Sequence, residues 1–278
     1  MRVAITGASG MIGKQLAKRL AEAGPSVDSI PRGAAPPSCD ALVNLAGEPI
    51  AQRWTASAKK RIHDSRVDGT RHLVNALSTQ THRPLVFVCA SAVGIYGSSG
   101  DEILTETSSP GAGFLPGVVI DWEASARLAE ALGVRVVSLR FGAVLGHGGA
   151  LAKLLPVFRL GAGGRLASGH QWMSWIHIDD AVSLILFAIE NIGLGGAFNA
   201  TAPNPVTNSE FTRILARALH RPAVFLVPAF ALKLVLGEMS EVLLDSQRVL
   251  PAAAQAAGFR FQYPELSGAL DNILVAPA

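Results

Sequence analysis

Apolar positions along the first two thirds of the chain follow two alternating patterns. Short continuous runs such as Leu85-Val86-Phe87-Val88 end in glycine or a polar turn, as strands covered on both faces do. Between them lie segments whose apolar residues recur every three or four positions, the mark of a helix with one buried stripe. The runs predict strands over Arg2–Thr6, Ser26–Ile30, Ala41–Leu45, Leu85–Ala90, Val134–Arg140 and Ala197–Ala200. The stripes predict helices over Ile12–Glu22, Ala56–Ser78, Asp121–Leu132, Asp179–Asn191 and Ser209–Leu219. Such alternation builds an α/β fold with a doubly wound parallel sheet. From about Gly146 the pattern loosens into Gly-rich and aromatic loops, then resumes as helices punctuated by proline, which predicts a small mixed α/β lobe. The expected division assigns 1–145, joined by 176–200, to the sheet domain, and 146–175 with 201–278 to a small substrate-side lobe.

Composition narrows the function classes. Apolar residues are 49% of the 278 and charged residues 16%, which excludes a disordered chain and points to much buried sheet. The formal charge is only +3 and the basic residues are scattered, so no nucleic-acid partner is expected. Cys39 and Cys89 sit in unrelated contexts without metal-ligand spacing, which suggests neither a disulfide framework nor a metal site. The longest apolar stretch, Pro228 to Gly237, contains Lys233 and is too short for a bilayer, so a cytoplasmic protein without a membrane partner is expected.

The clearest chemistry is at the first strand-to-helix turn, Thr6-Gly7-Ala8-Ser9-Gly10-Met11-Ile12-Gly13. Glycines at spacing three let the chain turn sharply, bring N–H groups against a pyrophosphate and seat the helix on the sheet, whose N-terminus favours the anion. This is the dinucleotide loop of a Rossmann fold. At the end of the second strand an acid would bind a ribose 2′-hydroxyl, whereas Pro31-Arg32 stands here. An arginine suits a 2′-phosphate, so NADP(H) is favoured over NAD(H).

Beyond the loop, Asn44-Leu45-Ala46-Gly47, Gly69-Thr70 and Ser91-Ala92-Val93-Gly94-Ile95-Tyr96-Gly97 resemble the extended short-chain dehydrogenase/reductases. Longer strings narrow the resemblance to the YfcH-like epimerase-family proteins: Glu48-Pro49-Ile50, Arg53-Trp54, Ser65-Arg66, Asp121-Trp122-Glu123, Gln171 through Asp180, and Ala202 through Thr207. The likeness runs nearly end to end, through a tail segment from Gln247 to Pro264 typical of that group. It implies cofactor contacts from Gly7, Ser9, Gly10, Met11, Ile12, Gly13, Arg32, Leu45, Ala46, Gly47, Arg66, Ala90 and Glu123. The chain departs from its relatives between Arg32 and Asp40, where they carry another helix and strand; the sheet is expected to lack an edge strand, with weaker adenine contacts.

Extended enzymes of this kind use a tyrosine and a lysine four residues later to exchange a proton as hydride moves. The two tyrosines here, Tyr96 and Tyr263, are followed at that distance by Gly100 and Ser267, while Val119 and Glu123 align with the pair. The resemblance also puts Arg66 in place of a usual asparagine, Ala92 in place of a usual serine, and Met173 in place of a diphosphate-clamping arginine. Candidates for replacement chemistry are Glu123 and Ser91, then Asp121 and His177. Glu123 could alternatively accept hydrogen bonds from the nicotinamide ribose, or be a solvated helix acid. Trp172, Met173 and Trp175 are the expected substrate pocket for an unidentified small molecule, His177 reads more readily as structural than as catalytic, and homodimer formation is left open. Two functions fit: an NADP(H)-dependent epimerase or oxidoreductase with a substituted acid or base, and a non-catalytic NADPH-binding regulator or scaffold.

Overall fold

The computed structural model describes residues 1–275. The chain opens with β1 (Arg2–Thr6), α1 (Met11–Ala23), β2 (Ser26–Ile30), β3 (Ala41–Asn44), α2 (Ala56–Ser78) and β4 (Val86–Ala92). There follow β5 (Ile103–Leu104), α3 (Phe114–Arg127), β6 (Arg135–Phe141), β7 (Ala143–Leu145) and α4 (Gly149–Arg159). Next come β8 (Gly164–Leu166), β9 (Trp172–Met173), β10 (Trp175–His177), α5 (Ile178–Glu190) and β11 (Gly196–Ala200). The remainder comprises β12 (Val206–Thr207), α6 (Asn208–Ala218), β13 (Phe225–Val227), α7 (Ala229–Leu236), α8 (Glu241–Leu244), β14 (Arg248–Val249), α9 (Ala252–Ala256) and α10 (Leu266–Val275).

Six strands form the central sheet in the order β11-β6-β4-β3-β1-β2, and every pairing in it is parallel. Helices cover both faces, which is why central strands such as β3 and the start of β4 read as apolar runs, whereas the edge strand β2 carries Ser26, Asp28 and Ser29. On one face Leu16 and Leu20 of α1 meet Ile185 of α5 and Phe259 over Val3, Val43 and Val137. On the other, Val67 and Leu77 of α2 meet Trp122 of α3 over Ala4, Leu42 and Phe87. A separate core joins Phe158, Trp175, Phe211, Leu215 and Leu270 beyond the sheet. The architecture is the expected α/β Rossmann type.

The sheet ends on β2, because the chain between Arg32 and Asp40 forms no helix or strand. The third expected helix is also shifted: α3 starts at Phe114, and Leu128–Leu132 continues it as a 3-10 turn. Pro116 and Gly117 hide the true start from a propensity reading, yet proline is tolerated in a first turn, where its missing N–H has no intrahelical partner. Among the described residues no helix is long and apolar enough to cross a membrane.

Candidate functional site

β1 is flanked by β2 on one side and β3 on the other, so the connections leaving β1 and β3 diverge. Crevices at such a switch point, outside the carboxyl ends of the strands, are where α/β sheets bind ligands. A cleft of about 700 Å³ lies there, lined by residues that include Gly7, Ser9, Gly10, Arg32, Leu45, Ala46 and Gly47. Seven of the sequence-predicted cofactor residues thus come together on one surface.

Local packing explains why glycine is required. Gly7 adopts φ +68°, and a Cβ there would stand 2.8 Å from the Leu45 carbonyl; a Cβ at Gly13 would stand 2.3 Å from the Gly7 oxygen. Gly10 N–H donates to Gly7 O at 2.9 Å, closing the turn. Gly10 is the N-cap of α1, with no side-chain cap and no acid in the first turn. The first N–H groups of α1 are therefore left for an anion. Gly13 and Ile12 lie behind this surface, and Met11 packs its thioether under Gly146 and Gly148. Those three shape the loop from beneath.

A buried polar chain stiffens the opposite wall. Thr6 Oγ1 donates to Asn44 Oδ1 at 2.6 Å and accepts from the N–H groups of Leu45 and Ala46 at 3.2 and 3.3 Å. Asn44 Nδ2 in turn donates to Thr70 Oγ1 at 2.9 Å, which also accepts from Trp122 Nε1 at 3.0 Å. Arg66 is buried below Gly47 and donates through Nη1 to the carbonyls of Glu48 and Ile62 at 3.0 and 3.1 Å. Its guanidinium lies 5.3 Å from the Trp122 ring, and burial, against the opposing pull of Glu48, brings its pKa down to about 10. Arg66 holds the loop and does not line the cleft.

The shortened Arg32–Asp40 segment forms the far wall, with Ser29, Ile30, Pro31, Gly33 and Ala34. Arg32 is exposed, and its Nη1 stands 3.9 Å from Glu48 Oε2. Glu48 Oε1 is 3.6 Å from Arg61 Nε. Ser65, quoted above only for the family resemblance, also lines the cleft, with Arg61, Asp64 and His72, which were not singled out from the sequence. They lie on one side of α2, at spacings of three, four and seven that a helix places on one face, but their orientation toward the cleft was not visible in sequence.

Two of the catalytic candidates, Glu123 and Ser91, form a second cluster outside that lining. Glu123 is buried, and its Oε1 accepts from Ser91 Oγ at 2.6 Å and Arg140 Nε at 2.8 Å, while Oε2 accepts from Arg140 Nη2 at 2.9 Å. Arg140 Nη1 donates to Tyr96 Oη at 2.9 Å, which donates to Asn199 Oδ1 at 2.7 Å. Burial alone would lower the Arg140 pKa, but Glu123 and Tyr96 outweigh it and hold it above the ordinary value. Burial pushes the Tyr96 phenol up, against Arg140 and Asn199, so it stays protonated. Glu123 is accordingly not a solvated helix acid: a fork-to-fork ion pair fixes it, and Ser91 is fixed by Glu123. Arg140 was missed because no local pattern links β6 to α3. Ala90 is half-buried between the two sheet-face cores, Val119 is core packing, and Asp121 is exposed beside His63 Nε2 at 3.4 Å.

The aromatic run divides. Trp175 is fully buried and donates through Nε1 to Asn204 O, so it belongs to the core beyond the sheet and not to a substrate pocket. Trp172 is half-buried, donates to Asp101 Oδ1 at 2.8 Å and lies 4.3 Å from the Arg248 guanidinium; Met173 Sδ accepts from Asn208 Nδ2. His177 is buried: Nδ1 caps α5 by accepting from Asp179 N at 3.1 Å, and the ring sits 3.9 Å from that of Tyr263.

Burial lowers the His177 pKa despite Asp179 and Asp180, with His147 acting in the same direction as burial. An unfolded chain then binds more protons than the folded one at pH values between the depressed pKa and about 6.5. Stability from this group is complete above that window and lost as pH falls through it. His177→Asn keeps an N-cap acceptor but no titration, and should flatten this part of a urea-midpoint profile as pH falls below about 6.5. An unchanged slope would show that other groups set it.

A Rossmann sheet with a glycine-turned, uncapped helix at its switch point defines a dinucleotide-binding protein of the short-chain dehydrogenase/reductase type. The chain belongs to the NAD dependent epimerase/dehydratase family, whose model matches residues 34–201. Residues 227–273 match a domain of unknown function, DUF1731. The chain is 39% identical to the epimerase family protein YfhF of Bacillus subtilis (strain 168), over 99% of this chain and 98% of that one. It is 40% identical to the chloroplastic epimerase family protein SDR39U1 homolog of Arabidopsis thaliana, over 99% and 87%. The crystal structure of the human epimerase family protein SDR39U1 (isoform2) with NADPH matches with TM-score 0.92 and 35% identity, covering 98% of this chain and 99% of that one.

Proposed function

We propose that this chain is an NADP(H)-binding, epimerase-family oxidoreductase-like protein that works without a tyrosine–lysine pair. The observation that carries the reading is the 700 Å³ cleft, in which the uncapped N-terminus of α1 and the exposed guanidinium of Arg32 face one space. The first suits a pyrophosphate and the second a ribose 2′-phosphate. The human relative solved with NADPH supports the same assignment. When bound, such a cofactor supplies or accepts hydride. In this chain Gly7, Ser9 and Gly10 would hold its phosphates, Leu45 to Gly47 would flank it, and Arg66 would keep that flank in place. The substrate would be a small molecule approaching from the side of Trp172 and Met173, in a cytoplasmic protein without nucleic-acid or membrane partners.

A second reading, NADPH binding without turnover, is favoured by the Glu123–Arg140 pair. A carboxylate already accepting three hydrogen bonds is a poor general base, and Tyr96 is tied to Arg140 and Asn199. Without a phenol of lowered pKa, turnover of common nucleotide sugars should be slower by roughly 10²–10⁴ than with a tyrosine–lysine pair. Following NADPH absorbance with a substrate panel separates the two readings. Brisk turnover that vanishes in Glu123→Gln would make Glu123 the acid or base and remove the second.

The cofactor choice has its own test. Arg32 is largely exposed and shares its charge with Glu48, so its contact with a 2′-phosphate is expected at the low end for charged hydrogen bonds, about 1.5 kcal/mol or roughly tenfold. NADPH should therefore bind about tenfold more tightly than NADH, and Arg32→Ala should erase the difference. Equal affinities in the unmodified protein would remove the NADP(H) assignment.

A further inference from the structure

A second concavity, of about 390 Å³, lies on the C-terminal lobe and shares no lining residue with the dinucleotide cleft. Four arginines line it, Arg165, Arg213, Arg217 and Arg221, together with the hydroxyl side chains of Ser209 and Thr212. Ser209, Arg213 and Arg217 recur every four residues along α6, and Arg221 continues the row just beyond its end. Arg165 comes from β8, whose parallel pairing with β13 sets Phe225 opposite Gly164 and fixes that strand against the helix.

Like charges four residues apart on a helix repel, and carboxylates usually answer them. Here none does. Among the described residues, no carboxylate stands within 4.0 Å of any of the four guanidinium groups. The acid nearest in sequence, Glu210, is engaged by the N–H and hydroxyl of Thr207 in a capping box, though its charge still feels Arg213. Arg165 Nη1 donates to Ser168 O at 2.9 Å, which leaves most of its fork unused. The α6 row therefore carries a repulsion that the chain relieves only in part, through the charge of Glu210 near Arg213.

We propose that this concavity is a binding site for a compact phosphate-bearing anion carrying at least two negative charges. The planar arginine fork matches phosphate oxygens two at a time, and Ser209 and Thr212 add hydroxyl donors. The small volume suits a small molecule: a nucleic acid would need the basic surface to run on, whereas the net charge of the chain is only +3. The exposed Val224 and Phe225 at its rim leave room for an apolar or ring portion of the ligand.

Calorimetric titration of the full chain with inorganic pyrophosphate tests this, with citrate as a carboxylate of similar charge. Saturable pyrophosphate binding is expected, weakened about tenfold or more in the double variant Arg213→Gln/Arg217→Gln and retained in Gly10→Asp. Both arginines are exposed, so the double variant should unfold at the same temperature or higher in phosphate-free buffer, because a repulsion is removed. No saturable binding below about 10 mM, equal affinity in the double variant, or citrate binding as tightly as pyrophosphate would each overturn the proposal. Loss of binding in Gly10→Asp would overturn it too, by placing the phosphates in the dinucleotide cleft; that outcome would leave the cofactor reading standing.

Discussion

Arg140→Met is expected to destabilise the folded protein by about 3–5 kcal/mol, since it leaves the Glu123 carboxylate buried without its counter-charge. Glu123 keeps only Ser91 Oγ as a donor, and Tyr96 Oη loses the guanidinium beside it. The side chains of Arg140 and Glu123 are only 10% and 7% exposed, so water cannot replace the lost contacts. The second change, Glu123→Leu in the Arg140→Met background, should recover most of the loss, because well-packed apolar groups cost little where an ion pair stood. Urea unfolding of the two single variants and the double one gives the coupling directly. Additive losses would show that the pair is not the unit that holds α3 to β6. The double variant also bears on chemistry: if it folds and still binds NADPH, the cluster is structural and lies outside cofactor recognition.

Gly10→Asp should abolish dinucleotide binding, with affinity falling by roughly 100-fold or more, while the fold persists or gains stability. The opposite signs are the point of the experiment. Gly10 has φ −73°, which any residue adopts, and a new Cβ would meet only the Gly7 oxygen at 3.2 Å. An aspartate at an N-cap accepts from the free N–H groups of the first turn, and this ordinarily stabilises a helix by about 1 kcal/mol. Those N–H groups are the same ones a pyrophosphate would use, and the added charge repels it. Fluorescence titration with NADPH and a thermal melt of the same sample read the two effects. Unchanged affinity in a folded variant would place the phosphates away from the α1 terminus.

Much of this molecule was legible in the chain. The glycine loop could be read because its constraint is local: the residues that turn the backbone and those that seat the helix are neighbours in sequence. The six sheet strands were also visible: the central ones such as β3 and β4 because burial on both faces leaves a nearly unbroken apolar run, and the more polar edge strand β2 because it falls between a helix and a turn. The Trp172 to Trp175 run was misjudged as a single pocket. Alternation of side chains along extended backbone, with β9 and β10 separated at Ser174, leaves Trp172 half-buried and sends Trp175 into the core.

What sequence determined by itself is the parallel sheet, the dinucleotide turn, the family, and the absence of a tyrosine–lysine pair. Each follows from residue type at fixed short spacing. Only the tertiary structure decided what surrounds Glu123. Glu123 on α3 pairs with Arg140 on β6, Arg140 reaches Tyr96 after β4, and Tyr96 reaches Asn199 on β11, because the sheet order β11-β6-β4 brings separate segments side by side. The same holds for Arg66 beneath Gly47 and for Arg165 facing the α6 arginines. No periodicity within one segment records which charge a distant strand will present, since partner choice is set by how whole elements pack.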